Sequence, residues 1–262
     1  MRALAVLVGL VAIFVISHAA RAVDDDLERT WRRALVNVPG ENGTVRGWIE
    51  DMDTRLPQGT GPFPTVIHLH GCAGLNQASY TIAKTLVAQG YAVIMPDSFA
   101  REHKPQSCDP RTRRHSMHRG VIGWRRAEAN RAIRGARDLD WVDPDNLFLW
   151  GFSEGAIAAA TVTGEPVNAR VVEAWTCHAG WREYRGLQAP EDEPVLALLG
   201  ANDPRFTASY HRGDCGEFMA DRRGSRSVVF EAPQFLAKKH FLSWHEDVQM
   251  QILEFLADNR RY

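Results

Sequence analysis

The sequence predicts an α/β fold: a mostly parallel central sheet, covered by helices on both faces, with a hairpin at its N-terminal end. Two observations carry this. Beyond residue 60, short apolar runs alternate with helix-patterned segments, the rhythm of parallel strands joined by helical crossovers. The runs are also short and mainly apolar, as strands covered on both faces are. Of the 262 residues, 45% are hydrophobic and 24% charged, which excludes a collagen-like, largely disordered or polytopic membrane chain. Lys+Arg number 31 against 32 Asp+Glu, so no excess positive charge points to a nucleic-acid binder. Four cysteines are too few for a disulfide-built scaffold.

The elements follow in order. Residues 1–22 read as an export signal: Arg2, an uncharged run from Leu4 to Ile16, and Ala20-Arg21-Ala22 as a cleavage site. The run is shorter than the ~20 residues a membrane span needs, so no stable membrane insertion is expected after cleavage. The mature chain would be periplasmic or secreted, in a compartment that permits disulfides. Arg33–Val38 and Thr44–Ile49 are extended runs around Glu41-Asn42-Gly43, a hairpin signal. Asp51–Pro64 reads as a Pro- and Gly-rich loop. Strands are expected at Thr65–Leu69, Ala92–Met95, Asn146–Trp150, Arg170–Trp175, Val195–Leu199 and Ser227–Phe230. Helices are expected at Ser79–Ala88, stopped by Gly90, at Val121–Leu139 and at Glu154–Thr163. A last helix would run to about Asn259, opened by a capping box of Ser243 and Glu246. No composition break interrupts residues 60–260, so one domain is expected over residues 23–262.

In such sheets ligands bind beyond the carboxyl ends of the strands, so the loops leaving the strands are where chemistry is sought. Gly151-Phe152-Ser153-Glu154-Gly155 matches G-x-S-x-G and lies between an apolar strand and a helix. That context turns a short motif into a nucleophile elbow. The helix start directs partial positive charge at Ser153, and the N–H of Glu154 is one candidate oxyanion donor. A serine needs a base, and the base an orienting acid. In the α/β-hydrolase order these follow downstream as acid, then His. Asp203, released after Val195–Gly200 into a loop stiffened by Pro204, is the candidate acid. His240, in the loop after the last strand, is the candidate base; His245 is the alternative, placed within the capped first turn of the last helix. The loop His70-Gly71-Cys72-Ala73-Gly74 supplies small residues, and the Cys72 N–H is the second oxyanion candidate. His68 and His70 lack a third ligand at metal spacing, and a Ser-His-Asp set supplies nucleophile, base and charge stabilisation by itself, so neither metal nor organic cofactor is expected.

These residues resemble the dienelactone hydrolase family of α/β-hydrolases, especially its exported, serine-bearing relatives. The likeness rests on His70–Leu75, Pro96-Asp97-Ser98-Phe99 with Arg101 behind it, the elbow, and Gly200–Asp203 followed by His240, over about residues 60–260. It implies the α/β-hydrolase fold and hydrolysis of a small-molecule ester or lactone. Dienelactone hydrolase itself uses a Cys nucleophile, so the serine here leaves dienelactone as substrate unsupported. Glu154 is a second departure, since a carboxylate beside an oxyanion site is costly unless turned away or paired.

Arg101, His103, Lys104, Arg111, Arg113, Arg114, His115, His118 and Arg119 crowd the excursion after the Ala92–Met95 strand. This reads chiefly as a solvated surface, with Arg101 the candidate substrate contact. Cys108 and Cys215 lie in long excursions, where a bridge between them is plausible, and Cys72 and Cys177 follow strands as candidates for free, small apolar residues. Four cysteines allow three connectivities, and the sequence does not choose among them. Trp175, Trp181 and Trp244 are candidates to line an apolar pocket or simply to fill the core. The expected function is ester or lactone hydrolysis through an acyl-enzyme. A catalytically silent binding protein on the same scaffold, and a peptidase or thioesterase of the same mechanism, are the alternatives.

Overall fold

The computed structural model describes residues 25–105, 107–109, 114–115, 119–219 and 222–262. The export-signal reading of residues 1–22 lies outside the described residues, as does much of the basic excursion. A helical segment not expected from the sequence, α1, covers residues 25–32. It docks through Trp31, whose ring lies beneath the Arg131 guanidinium at 4.9 Å.

The hairpin forms as β1 (Leu35–Gly40) and β2 (Gly43–Trp48), with Gly40 opposite Gly43 across a tight turn. It is stitched to the sheet because β1 also pairs antiparallel with a later strand. The expected loop from Asp51 contains one short helix, α2 (Met52–Arg55), held by the buried Met52. Then come β3 (Phe63–Leu69), α3 (Gln77–Ala88), β4 (Ala92–Met95) and a two-residue ribbon, β5 (Cys108–Asp109) with β6 (Arg114–His115). Next are α4 (Arg119–Arg137), β7 (Val142–Phe152), α5 (Glu154–Thr161), β8 (Ala169–Glu173), β9 (Val195–Gly200), β10 (Arg226–Phe230) and α6 (Glu246–Asp258). Asn76 caps α3 by accepting the Ala78 N–H at 2.9 Å, and Gly90 ends it at φ +81°.

The eight-stranded sheet has the order β10-β9-β8-β7-β3-β4-β1-β2. From β10 to β4 every pairing is parallel. The chain leaves β3 toward β4 and later returns to β7 on the other side, so a topological switch point lies between β3 and β7. Alternate residues of each strand feed opposite cores. Ile67, Leu69, Leu147, Leu149, Val195 and Ala197 enter one; Val66, Phe148, Trp150, Leu196 and Leu198 enter the other. That two-sided burial is why the strands read as apolar runs.

The capping box at Ser243 does not form. His245 is the N-cap residue of α6 and makes no side-chain cap bond. The Ser243 N–H instead donates to the Glu173 carboxylate at 2.8 Å, which draws this stretch into the interior.

His68, inside β3, is completely buried. Its pKa is pushed down to about 3, first by burial and then by the charge of Arg125. His70 is lowered well below the ordinary value for the same two reasons. The native state therefore refuses protons that the unfolded chain binds below pH ~6.5. This stability is complete above that pH and is lost as the pH falls toward the native value. Each histidine should contribute about 1.4 kcal/mol per pH unit to the slope. Urea unfolding at pH 7.5, 6 and 5 should show a flatter dependence, by one proton, in His68→Leu than in the wild type. Parallel slopes would show that His68 takes up its proton in the folded protein.

Candidate active site

Ser153 sits at the junction of β7 and α5 with φ 55° and ψ −117°, a conformation that non-glycine residues avoid. Tight packing imposes it. A Cβ on Gly151 would lie 2.2 Å from the Gly155 carbonyl oxygen, and one on Gly155 would lie 2.1 Å from the Leu69 carbonyl oxygen. Only glycine lets β7, α5 and the end of β3 meet this closely. The Ser153 N–H donates to the Glu173 carbonyl at 2.9 Å, and its own carbonyl accepts from Ala156 and Ile157 in the first turn of α5.

Asp203 leaves the end of β9 and is almost completely buried. Its Oδ1 accepts the Arg205 N–H at 2.9 Å, which orients the carboxylate. Its Oδ2 lies 2.6 Å from His240 Nδ1, and His240 Nε2 lies 2.9 Å from Ser153 Oγ. With Asp203 ionised, Nδ1–H donates to it and Nε2 is left to accept the serine proton. The loop carrying His240 crosses directly over the end of β9. A Cβ on Gly200 would lie 2.7 Å from the Leu236 carbonyl oxygen and 2.8 Å from that of Lys239, so the glycine before Asp203 makes room for the loop that delivers His240. His245 lies elsewhere, its ring 5.5 Å from Phe235.

Behind His240 is a residue that the sequence reading missed. Glu173, at the end of β8, is fully buried. Its Oε1 accepts the N–H groups of Leu242 and Ser243 at 3.0 and 2.8 Å, and its Oε2 accepts the Trp150 indole N–H at 3.1 Å. One carboxylate thus ties the His240 loop to β7, the strand that ends in the elbow. Burial raises its pKa, opposed by the hydrogen bonds from Ser243 and Trp150 and by the charge of His240. A carboxylate directly after Val171-Val172, inside the expected Arg170–Trp175 strand, was the available signal.

The loop after β3 lies against the elbow: a Cβ on Gly71 would meet the Phe152 ring at 3.1 Å and Ser153 Cβ at 3.4 Å. Cys72 follows it. A buried polar network holds the loop from below. Arg125 Nη2 donates to the His70 carbonyl at 2.6 Å, and Arg125 Nη1 donates to the Ser98 hydroxyl. The Ser98 hydroxyl in turn donates to Glu128. His70 Nε2 accepts the Ser98 N–H at 3.2 Å, which leaves its Nδ1–H to donate to the Gly71 carbonyl at 2.7 Å. Arg125 and Glu128 are 1% and 2% exposed.

Arg101 belongs to this network too. It is 5% exposed, its Nε donates to Glu128 at 2.8 Å, and its guanidinium lies over the Trp124 ring at 5.2 Å. It is therefore a buried ion-pair partner of α4, whereas the sequence reading took it as the candidate substrate contact. His103 and Lys104 are exposed.

A Cys108–Cys215 bridge with Cys72 and Cys177 free does not form. The bridges are Cys72–Cys108 and Cys177–Cys215, and no described cysteine is free. Each joins a loop leaving one strand to the excursion leaving another at the same sheet edge, so nearness at the edge, not loop length, selects partners. Among the tryptophans, Trp175 is core and Trp181 packs on Tyr184. Trp244 is half exposed and stacks on Phe241, which stacks on Phe152. Among the described residues, no cluster of three or more His, Cys, Asp or Glu could hold a metal ion, and no helix is long and apolar enough to cross a membrane.

An elbow at the switch point of a mostly parallel sheet, with an acid in the loop after β9 and a histidine in the loop after β10, is the arrangement of the α/β-hydrolase class. The profile of the dienelactone hydrolase family matches residues 52–224. The chain belongs to that family and is a hydrolase. No curated relative matches the sequence. Among solved structures, a proposed dienelactone hydrolase from Klebsiella pneumoniae subsp. pneumoniae superposes with a TM-score of 0.56 at 20% identity, over 77% of this chain and 90% of that one. A dienelactone hydrolase from Anabaena variabilis gives 0.52 at 18% identity, over 87% of this chain and 100% of that one. A hyperthermophilic esterase from Pyrobaculum calidifontis gives 0.51 at 16% identity, over 93% of both chains. At these identities the structural likeness speaks to the fold.

The Glu173 clamp has a measurable consequence. Glu173→Ala leaves three buried N–H groups without their acceptor, each costing ~1–3 kcal/mol, and loosens the His240 loop. Urea unfolding should register a loss of about 3 kcal/mol or more, and turnover should fall at least tenfold. Glu173→Gln, which keeps one carbonyl acceptor for Leu242 and Ser243, should recover much of both. An alanine variant with wild-type stability and turnover would mean the clamp is idle.

Proposed function

We propose that this hydrolase cleaves a carboxylic ester or lactone through an acyl-enzyme, with Ser153 as nucleophile, His240 as general base and acid, and Asp203 as the orienting carboxylate. The observation that carries the reading is the continuous relay Asp203–His240–Ser153, at 2.6 and 2.9 Å. As Ser153 Oγ attacks the carbonyl carbon, its proton passes to His240 Nε2. The imidazolium that forms is stabilised by Asp203 through Nδ1–H. The same proton then goes to the leaving alkoxide. In the second half, water replaces the alcohol, His240 takes the water's proton, and the acid product leaves with Ser153 restored.

Two backbone N–H groups bind the tetrahedral oxyanion in this reading: Glu154, first in α5, and Cys72, in the loop beside the elbow. The α5 N-terminus adds its dipole at the same point. The Glu154 carboxylate accepts a hydrogen bond from the Ser107 hydroxyl, which accounts for its tolerance next to a site that gathers negative charge. The proposed chemistry requires no metal or organic cofactor.

We also read residues 1–22 as a cleaved leader, residues 23–262 as one hydrolase domain, and the mature enzyme as periplasmic or secreted. Two disulfides among four cysteines are in keeping with an oxidising compartment.

Ser153→Ala should lower hydrolysis of a small nitrophenyl ester by ~10⁴-fold or more and abolish labelling by a fluorophosphonate, with an unchanged circular-dichroism spectrum. His240→Ala should be comparably inactive, whereas His245→Ala should keep its turnover. Labelling that persists in Ser153→Ala, or inactivation by the His245 substitution alone, would reassign the site.

A further inference from the structure

Two neighbouring residues of the excursion after β4 are joined to both of the candidate oxyanion donors, Cys72 and Glu154. Cys108 is bonded to Cys72, and the Ser107 hydroxyl is bonded to the Glu154 carboxylate. Ser107 and Cys108 are themselves buried, and Cys108 pairs with His115 across the β5–β6 ribbon. Cys72 and Glu154 are far apart in sequence and lie on different elements, the loop after β3 and the first turn of α5. A single dipeptide therefore spans the two walls of the site.

Oxyanion stabilisation works by preorganisation: the donors must already point where charge will develop. The two walls differ in how well they meet this need. Glu154 is held by the helix it begins. Cys72 lies between Gly71 and Gly74 (φ +79°), in a stretch where glycine makes the backbone permissive. Arg125 fixes the start of this loop at the His70 carbonyl, and the first position beyond that anchor and Gly71 is Cys72. The covalent tie to Cys108 restrains the backbone there, and the Ser107–Glu154 bond references that tie to the opposite wall. The second bridge is different in kind. Cys177–Cys215 closes the loop after β8, with Cys215 Sγ against the Trp175 carbonyl at 3.5 Å, and it joins neither Cys72 nor Glu154.

We propose that Ser107 and Cys108 are positioning residues for the oxyanion hole: the Cys72–Cys108 bond sets the Cys72 N–H relative to Ser153, and Ser107 locks that setting to Glu154. The inference rests on the serine-hydrolase reading above.

The test compares turnover per active serine, counted by complete fluorophosphonate labelling of the full-length enzyme, using a nitrophenyl ester. Removing one oxyanion donor outright costs ~10²–10³ in kcat, so misplacing one should cost about tenfold or more. Cys72→Ser/Cys108→Ser should show that loss in kcat with KM within about twofold. Cys177→Ser/Cys215→Ser should melt at a lower temperature yet keep its kcat per labelled serine. Ser107→Ala should lose a few-fold in kcat, and Ser107→Thr, which keeps the hydroxyl, should regain it. Wild-type kcat in the 72/108 double variant overturns the inference, as does an equal loss in both bridge variants, because that is a general structural effect. If the 72/108 variant fails to fold, the Ser107 pair decides: unchanged kcat in Ser107→Ala overturns it. A wild-type enzyme that neither turns over ester nor labels at Ser153 overturns the parent reading and this inference together, an outcome distinct from an active wild type with indifferent variants.

Discussion

The proposed active site depends on one strained residue. Ser153 holds backbone angles that cost about 1–3 kcal/mol, and it holds them because strand, turn and helix are pressed together with no room for another geometry. Gly151 touches the α5 backbone, and Gly155 touches the end of β3. The strain is offset locally: the Ser153 N–H and carbonyl are both bonded, to β8 and to α5. The hydroxyl is thereby lifted out of the sheet at the switch point, where the loops after β3 and β7 diverge and leave a crevice. Any relaxation of the turn would rotate Oγ away from His240.

The partners are delivered by the same economy of backbone contact. The strand order places β8 and β9 successively beside β7, so each strand end lies one strand further from the serine. Asp203 leaves β9 and would be too distant to act alone. The His240 loop bridges the gap by folding back over Gly200, with Glu173 of the intervening strand gripping its far side. Each of the strands β7, β8 and β9 thus contributes one constraint on the imidazole: a hydroxyl to accept from, a clamp on its loop, and a carboxylate to orient it.

What the sequence disclosed follows from this arrangement. The three candidates Ser153, Asp203 and His240, which the structure brings within hydrogen-bond distance of one another, stand out locally in the sequence, as a glycine-bounded turn, an acid released after an apolar run, and a histidine in the last loop. Strand centres were legible because two-sided burial forces apolar runs; strand ends were not, and β7 extends past the expected Asn146–Trp150 in both directions. The cysteine pairing was opaque because it depends on which excursions meet at one sheet edge. Arg101 read as a substrate contact because sequence shows a charge near a strand end but not the Glu128 that neutralises it from a helix 27 residues away. Glu173 was hidden for a similar reason: its partners are backbone N–H groups of a distant loop. The Ser243 capping box failed because the same N–H had a stronger use in the core.

The polar network under the β3 loop is the least expected feature and the one whose retention most needs a cause. Arg125 and Glu128 occupy the inward face of α4 among Ile122, Ala129 and Ile133, where apolar side chains would stabilise the fold as well or better. Apolar residues could not hold a carbonyl. Arg125 fixes the His70 oxygen, and Ser98 and Glu128 keep the guanidinium in place. The cluster also requires a neutral His70, because its Nε2 accepts from Ser98 with the Arg125 charge 3.0 Å away. Proton uptake there would remove the acceptor and set two cations against each other. The loop that borders Ser153 is therefore anchored through a histidine that burial and Arg125 keep unprotonated. Acid would threaten that anchorage independently of any protonation at His240, because the two histidines belong to separate hydrogen-bond networks.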